Sequence, residues 1–161
     1  MNAAQVESGP KIEDEIHALL DGDLKEAAFG FVRHLNERNL APRRWFGPNY
    51  WRVPHEDRYL CGIVINRGRW RVWFFSGDYS GDYGEAFTQI VHGAVRPCVS
   101  CTGDDCPKGM RITVFGKEFE NACFQFPVQF ENPDGDTLKC VQELIGYWKT
   151  AAPRSDSWHS H

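Results

Sequence analysis

The stretch that decides the fold is Tyr59-Leu60-Cys61-Gly62-Ile63-Val64-Ile65, followed by Asn66-Arg67-Gly68 and then Arg69-Trp70-Arg71-Val72-Trp73-Phe74-Phe75. Both runs are rich in β-branched and aromatic residues, and the short loop between them ends in Gly, the pattern of a β-hairpin. In the second run Trp70, Val72 and Phe74 fall on one face of an extended chain, while Arg69, Arg71 and Trp73 fall on the other. A sheet with one apolar face and one mixed arginine–aromatic face is expected.

Upstream of the hairpin, Trp45-Phe46 and Tyr50 to Val53 read as short extended pieces around the turn Gly47-Pro48-Asn49. Two helices precede them. Ile12, Ile16, Leu19 and Leu20 give an amphipathic turn pattern over 12–20. Asp23 is then expected to cap a second helix, with Glu26 as its capping-box partner and Leu24, Ala27, Ala28, Phe31, Val32 and Leu35 as the apolar stripe, to about Arg38. Downstream, Ser76 to Gly84 repeats Ser-Gly-Asp-Tyr and reads as a loop, and Glu85 to Val91 as a short helix. Met110 to Phe115 reads as a strand and Gly116-Lys117 as a turn. Phe119 to Phe130 reads as one extended run in which Phe124, Phe126, Val128 and Phe130 point the same way. After Asn132-Pro133-Asp134, the residues Leu138, Val141, Leu144, Ile145 and Trp148 form the stripe of a last helix. Hairpin-linked strands between terminal helices imply an α+β fold: a mostly antiparallel sheet packed by N-terminal and C-terminal helices, with a Cys-rich metal-binding loop. The expected organisation is a flexible N-terminus over 1–10, a single domain over 11–150 with its Cys-rich loop at 96–110, and a disordered tail over 151–161.

The length of 161 residues fits that single domain, and 42% hydrophobic with 25% charged residues is ordinary for a globular chain. No apolar run approaches the ~20 residues a membrane helix requires. The start shows neither a basic region nor an apolar stretch of the signal-peptide kind, so a cytoplasmic location is expected. There, six Cys read as free thiols or metal ligands rather than disulfides. The net charge of −4 argues against a general polyanion binder. That average conceals a division. Arg33 to Arg71 contains nine Arg and three acids, a charge of +6, which leaves −10 for the rest of the chain.

Four thiols, Cys98, Cys101, Cys106 and Cys123, have the spacing C-x2-C-x4-C-x16-C. Cys98 and Cys101 share one tight turn, and four thiolates make a closed tetrahedral zinc site, so structural Zn is expected there. A zinc knuckle would require His at position 106 and Cys at 111, where Cys106 and Arg111 stand. Neither ferredoxin spacing matches, although iron in place of zinc stays open. A redox pair would normally open a helix, whereas Cys98 and Cys101 lie in a loop. Cys61 and Cys140 fall within a strand and a helix and read as packing residues. The candidate ligand surface comprises Arg44, Trp45, Tyr50, Trp51, Arg69, Arg71 and Trp73, because Arg suits planar anion contacts and stacks on rings. The competing reading is that these arginines simply occupy the solvent side of strands whose other side is core. No phosphate loop, nucleophile elbow or zinc-protease motif is present, and no catalytic residue is assigned.

Phe46-Gly47, the strand Tyr59–Ile65, and Phe124-Gln125-Phe126-Pro127 through Leu138 and Leu144 together resemble small uncharacterised bacterial domains of the YdhG-like type, over about residues 24–149. The resemblance implies an α+β fold and no agreed activity, and the Cys-rich insertion departs from it. The function expected is that of a non-catalytic domain with a structural zinc site. It would bind a small aromatic or anionic ligand, or a protein partner, on the Arg/Trp hairpin. A thiol-dependent redox enzyme using Cys98 and Cys101 is the first alternative. A single-stranded nucleic-acid binder stacking bases on Trp45, Trp51 and Trp73 is the second.

Overall fold

Alternation in the central hairpin is what organises the chain. The computed structural model describes residues 11–99 and 106–151; the expected flexible segment 1–10, the tail beyond residue 151 and Cys101 lie outside the described residues. Helices α1 (Ile12–Leu19) and α2 (Gly22–Glu37) are followed by strands β1 (Arg43–Arg44), β2 (Tyr50–His55), β3 (Arg58–Asn66) and β4 (Arg69–Phe74). Helix α3 (Glu85–Gly93), strands β5 (Met110–Val114), β6 (Lys117–Ala122) and β7 (Val128–Glu131), and helix α4 (Gly135–Thr150) complete the fold. The main sheet has the order β1-β2-β3-β4-β7 and every pairing in it is antiparallel, as the α+β expectation required. Strands β5 and β6 form a separate hairpin.

Register carries one apolar row across four strands: Trp51 opposite Ile63, Ile63 opposite Val72, and Val72 opposite Phe130. With Val53, Cys61, Ile65, Trp70, Phe74 and Val128 these residues form the core side of the sheet. Helices close over it. Ile12 and Ile16 of α1, Phe31, Val32 and Leu35 of α2, and Val141, Leu144, Ile145 and Trp148 of α4 belong to the same buried cluster. Each large side chain fully removed from water there contributes about 1.5–3 kcal/mol before the entropy of ordering is subtracted. Cys61 and Cys140 are buried, and burial pushes both thiols up, Cys140 to about 12. Both stay protonated and act as small apolar residues.

Three local expectations are corrected. Helix α2 begins at Gly22, with Asp21 in the extended N-cap position and no side-chain cap bond, so no capping box links Asp23 to Glu26. Asp23 lies instead in the first turn, where its charge faces the free amides of the helix N-terminus. The β5–β6 turn is Phe115-Gly116, both at positive φ (43° and 84°), one residue earlier than the Gly-Lys pair suggested. The run Phe119 to Phe130 is not one strand. Strand β6 pairs with β5, β7 pairs with β4, and the chain changes sheet between Ala122 and Val128. Pro127 lacks an amide hydrogen and sits at that break. Phe126 consequently faces away from the core that Val128 and Phe130 enter.

Two clamps fix the ends of the helical layer. The Tyr147 hydroxyl donates to the Asp78 carbonyl at 2.5 Å and accepts from the Ser80 amide at 3.1 Å, which fastens the 76–84 loop to α4. The Arg58 guanidinium donates to the Lys149 and Ala151 carbonyls at 2.7 and 2.8 Å, satisfying the open C-terminal end of α4 from the start of β3. Among the described residues no helix is long and apolar enough to cross a membrane. Replacing Arg58 by Ala removes both charge-assisted bonds and is expected to cost about 1.5–3 kcal/mol. A urea titration should show a lower midpoint at unchanged slope, and an unmoved midpoint would refute the clamp.

Candidate functional site on the outer sheet face

The side of the sheet turned away from the helices carries Arg43, Arg52, Arg69 and Arg71 with the rings of Tyr50 and Trp73. Register places Arg43 opposite Arg52, Arg52 opposite Gly62, Gly62 opposite Trp73, and Trp73 opposite Gln129. The neighbouring row is Tyr50, Val64, Arg71 and Glu131. Val64 and Trp73 are 3% and 4% exposed, yet they stand outside the main core cluster. A layer of side chains on this outer face covers them.

That layer depends on Gly62. A Cβ built there would lie 2.3 Å from Cε2 of Trp73, so the indole rests on bare backbone. Trp45 stacks on Trp73 with ring centroids 5.5 Å apart and planes 26° apart, and Phe126 meets Trp73 edge-on. The turn after β1 is held by the Trp45 amide bonding the Tyr50 carbonyl at 2.9 Å, and Gly47 takes a φ of 63°. Phe46 at its tip stacks on Tyr50 at 4.4 Å and is 52% exposed. A register shift between Val53 and Pro54 sets Tyr59 opposite Pro54. The Arg52 guanidinium then lies over both Tyr59, at 3.7 Å from the ring centre, and Trp45, at 4.8 Å. Burial lowers the Arg52 pKa, the Tyr59 phenol opposing. Arg71 bonds Gln129 at 3.5 Å, while Glu131 is shared by Arg69 at 3.5 Å and Arg96 at 3.7 Å.

The structure therefore gathers Trp45, Tyr50, Arg69, Arg71 and Trp73 on one face. Arg44 and Trp51 it places on the other. Trp51 is 2% exposed beneath Arg44, whose guanidinium lies 5.1 Å from the indole centre and 3.2 Å from Glu15 of α1. Burial raises the Glu15 pKa, against the opposing influence of the Trp51 indole N–H and the charge of Arg44. Sequence reasoning missed Arg43, Phe46, Arg52, Tyr59, Gly62 and Phe126. Alternation through Tyr50 could have found Arg52, but the register shift hid Tyr59 and the change of sheet hid Phe126.

The thiols are arranged differently. Pro97 bridges Ala122, the Cys98 amide bonds the Asn121 carbonyl at 2.7 Å, and the Cys123 amide bonds the Arg96 carbonyl at 2.9 Å. Cys98 and Cys123 thus occupy diagonal positions on the same side of this short ladder. Among the described residues no three His, Cys, Asp or Glu side chains gather as a metal site does, so Cys98, Cys106 and Cys123 do not form one by themselves.

Two outcomes follow from these contacts. Gly62→Ala forces Trp73 off its seat and is expected to cost about 1–3 kcal/mol by overpacking, with a changed tryptophan emission spectrum. Unchanged stability and emission would contradict the seat. Glu15 holds its proton in the folded chain to a higher pH than its unfolded value of 4.5. Its contribution to stability is therefore greatest below 4.5 and declines as pH rises through the raised folded value. Glu15→Gln should remove that decline from urea midpoints measured between about pH 4 and pH 7.

No family model matches this chain, nor does any curated protein or solved structure, so its function is argued from its own residues.

Proposed function

We propose that this chain is a non-catalytic cytoplasmic binding domain whose outer sheet face receives a small aromatic or anionic ligand. The observation that carries the reading is the aromatic layer itself: Trp45, Phe75 and Phe126 touch Trp73, and Phe46 and Tyr50 extend the layer from Trp45, on the face turned away from the described helices. A sheet face that merely meets water is ordinarily polar. Here Phe46 is half in solvent and the Arg52 guanidinium lies over two rings, Trp45 and Tyr59. Stacking for a planar group and donors for an anion are thus supplied side by side. The nucleic-acid alternative loses one of its stacking residues, because Trp51 belongs to the core.

A structural zinc ion bound by Cys98, Cys101, Cys106 and Cys123 is a second, separate reading. Its support is the thiol spacing together with the ladder that sets Cys98 and Cys123 on one side. Stoichiometric zinc in protein purified without added metal, with a melting temperature lowered by chelator, is the expected result. Metal well below one equivalent with an unchanged melt would remove this reading.

For the binding face, titration with anilinonaphthalene sulfonate followed by amide and indole NMR shifts provides the test. The shifts should be confined to Trp45, Phe46, Arg52, Trp73 and Phe126, and Phe46→Ala should weaken binding about fivefold or more. Shifts confined to the helical side, or none, would overturn the assignment.

A further inference from the structure

Arg43 and Arg52 stand directly opposite one another in the β1–β2 register, so their side chains leave the sheet on the same side. Like charges so placed repel, and chains normally relieve this with a carboxylate. Among the described residues neither has one within ion-pair distance, although Arg44 has Glu15, Arg69 and Arg96 share Glu131, and Arg111 has Glu118 and Glu120. Arg33 and Arg67 are exposed on a helix and a turn, where bulk water solvates them. Arg52 is different: it is partly buried, stacked on Tyr59 and Trp45, and forms no hydrogen bond to the described residues. Stacking fixes the plane of a guanidinium and leaves its in-plane N–H donors free.

We propose that Arg43 and Arg52 are an oxyanion receptor and that the ligand of the outer face is a small aromatic phosphomonoester, its phosphate held by the two guanidiniums and its ring laid on the exposed Phe46. The assignment rests on the outer face being the binding surface. Two arginines paired across the strands, neither with a carboxylate partner among the described residues, match the charge of a phosphomonoester, which approaches −2 at neutral pH, better than that of a single carboxylate. The ring platform is contiguous: Trp45 lies under Arg52 and in edge contact with Phe46 at 4.6 Å. A polyanion is disfavoured because the chain outside 33–71 carries −10 and would repel the flanking phosphates of a longer strand.

Calorimetric titration of the full chain with naphthyl phosphate, naphthoate, naphthol and a thymidine oligonucleotide tests this. Naphthyl phosphate should bind about tenfold or more tightly than naphthoate and naphthol, with affinity falling as salt is added. Arg43→Gln alters an exposed position and should keep the melting curve unchanged while weakening naphthyl phosphate about tenfold and leaving naphthol unaffected. Arg52→Lys keeps the charge without the planar fork and should also weaken the phosphate selectively. Equal affinity for the phosphate, carboxylate and alcohol, or an unchanged phosphate affinity in Arg43→Gln, would overturn the receptor while leaving the ring-binding face intact. Failure of all three naphthalene probes would overturn the face as well. Tighter, steeply salt-dependent binding of the oligonucleotide would replace the phosphomonoester with a nucleic acid.

Discussion

The indole of Trp73 lies on the backbone of Gly62, and the outer layer of the sheet is built upward from that contact. With any side chain at position 62 the indole would have to lift, and Trp45 and Phe126, which touch it, would lose their common partner. Trp45 in turn supports Arg52, and the turn that carries Trp45 also carries Phe46. One missing methyl group thus underlies both the aromatic platform and the placement of a guanidinium. The opposite face has no such single dependence, because its apolar side chains are shared among four helices and four strands of the main sheet.

Much of the fold was legible because period-2 patterning in Arg69 to Phe74 separates two faces without ambiguity. The helical stripes of Phe31 to Leu35 and Val141 to Trp148 then supply the layer that must cover the apolar one. The site was legible only in part, for a physical reason. Which face a residue joins is set by pairing register, and register is a long-range property. Arg43 and Arg44 are neighbours in sequence and end on opposite faces, one beside Arg52 and the other between Trp51 and Glu15. Nothing local distinguishes them. Phe126 illustrates the same limit. Its alternation with Val128 and Phe130 is real in sequence, but the pairing partner changes between β6 and β7, and with it the meaning of the pattern.

The thiols show the reverse case. Their spacing is informative about chemistry and silent about geometry. The described backbone sets Cys98 and Cys123 together on a ladder formed by Pro97 and Ala122, while Met110 pairs with Ala122 from the β5 side. Ala122 is therefore bridged on both flanks, which ties the segment leading to Cys98 to the β5–β6 hairpin through one buried small residue.

Strand β1 is two residues long and consists of arginines. It covers only part of β2, and the stretch of β2 beyond it contains Pro54. A sheet margin so short, so charged and interrupted by a residue that cannot donate offers a poor template to a strand from another molecule. Arg43, for which an anion-holding role with Arg52 is proposed, thereby also guards, together with Arg44, a chain rich in Trp and Phe against edge-to-edge aggregation. Neutralising them would carry a cost in colloidal behaviour that folding stability alone does not register.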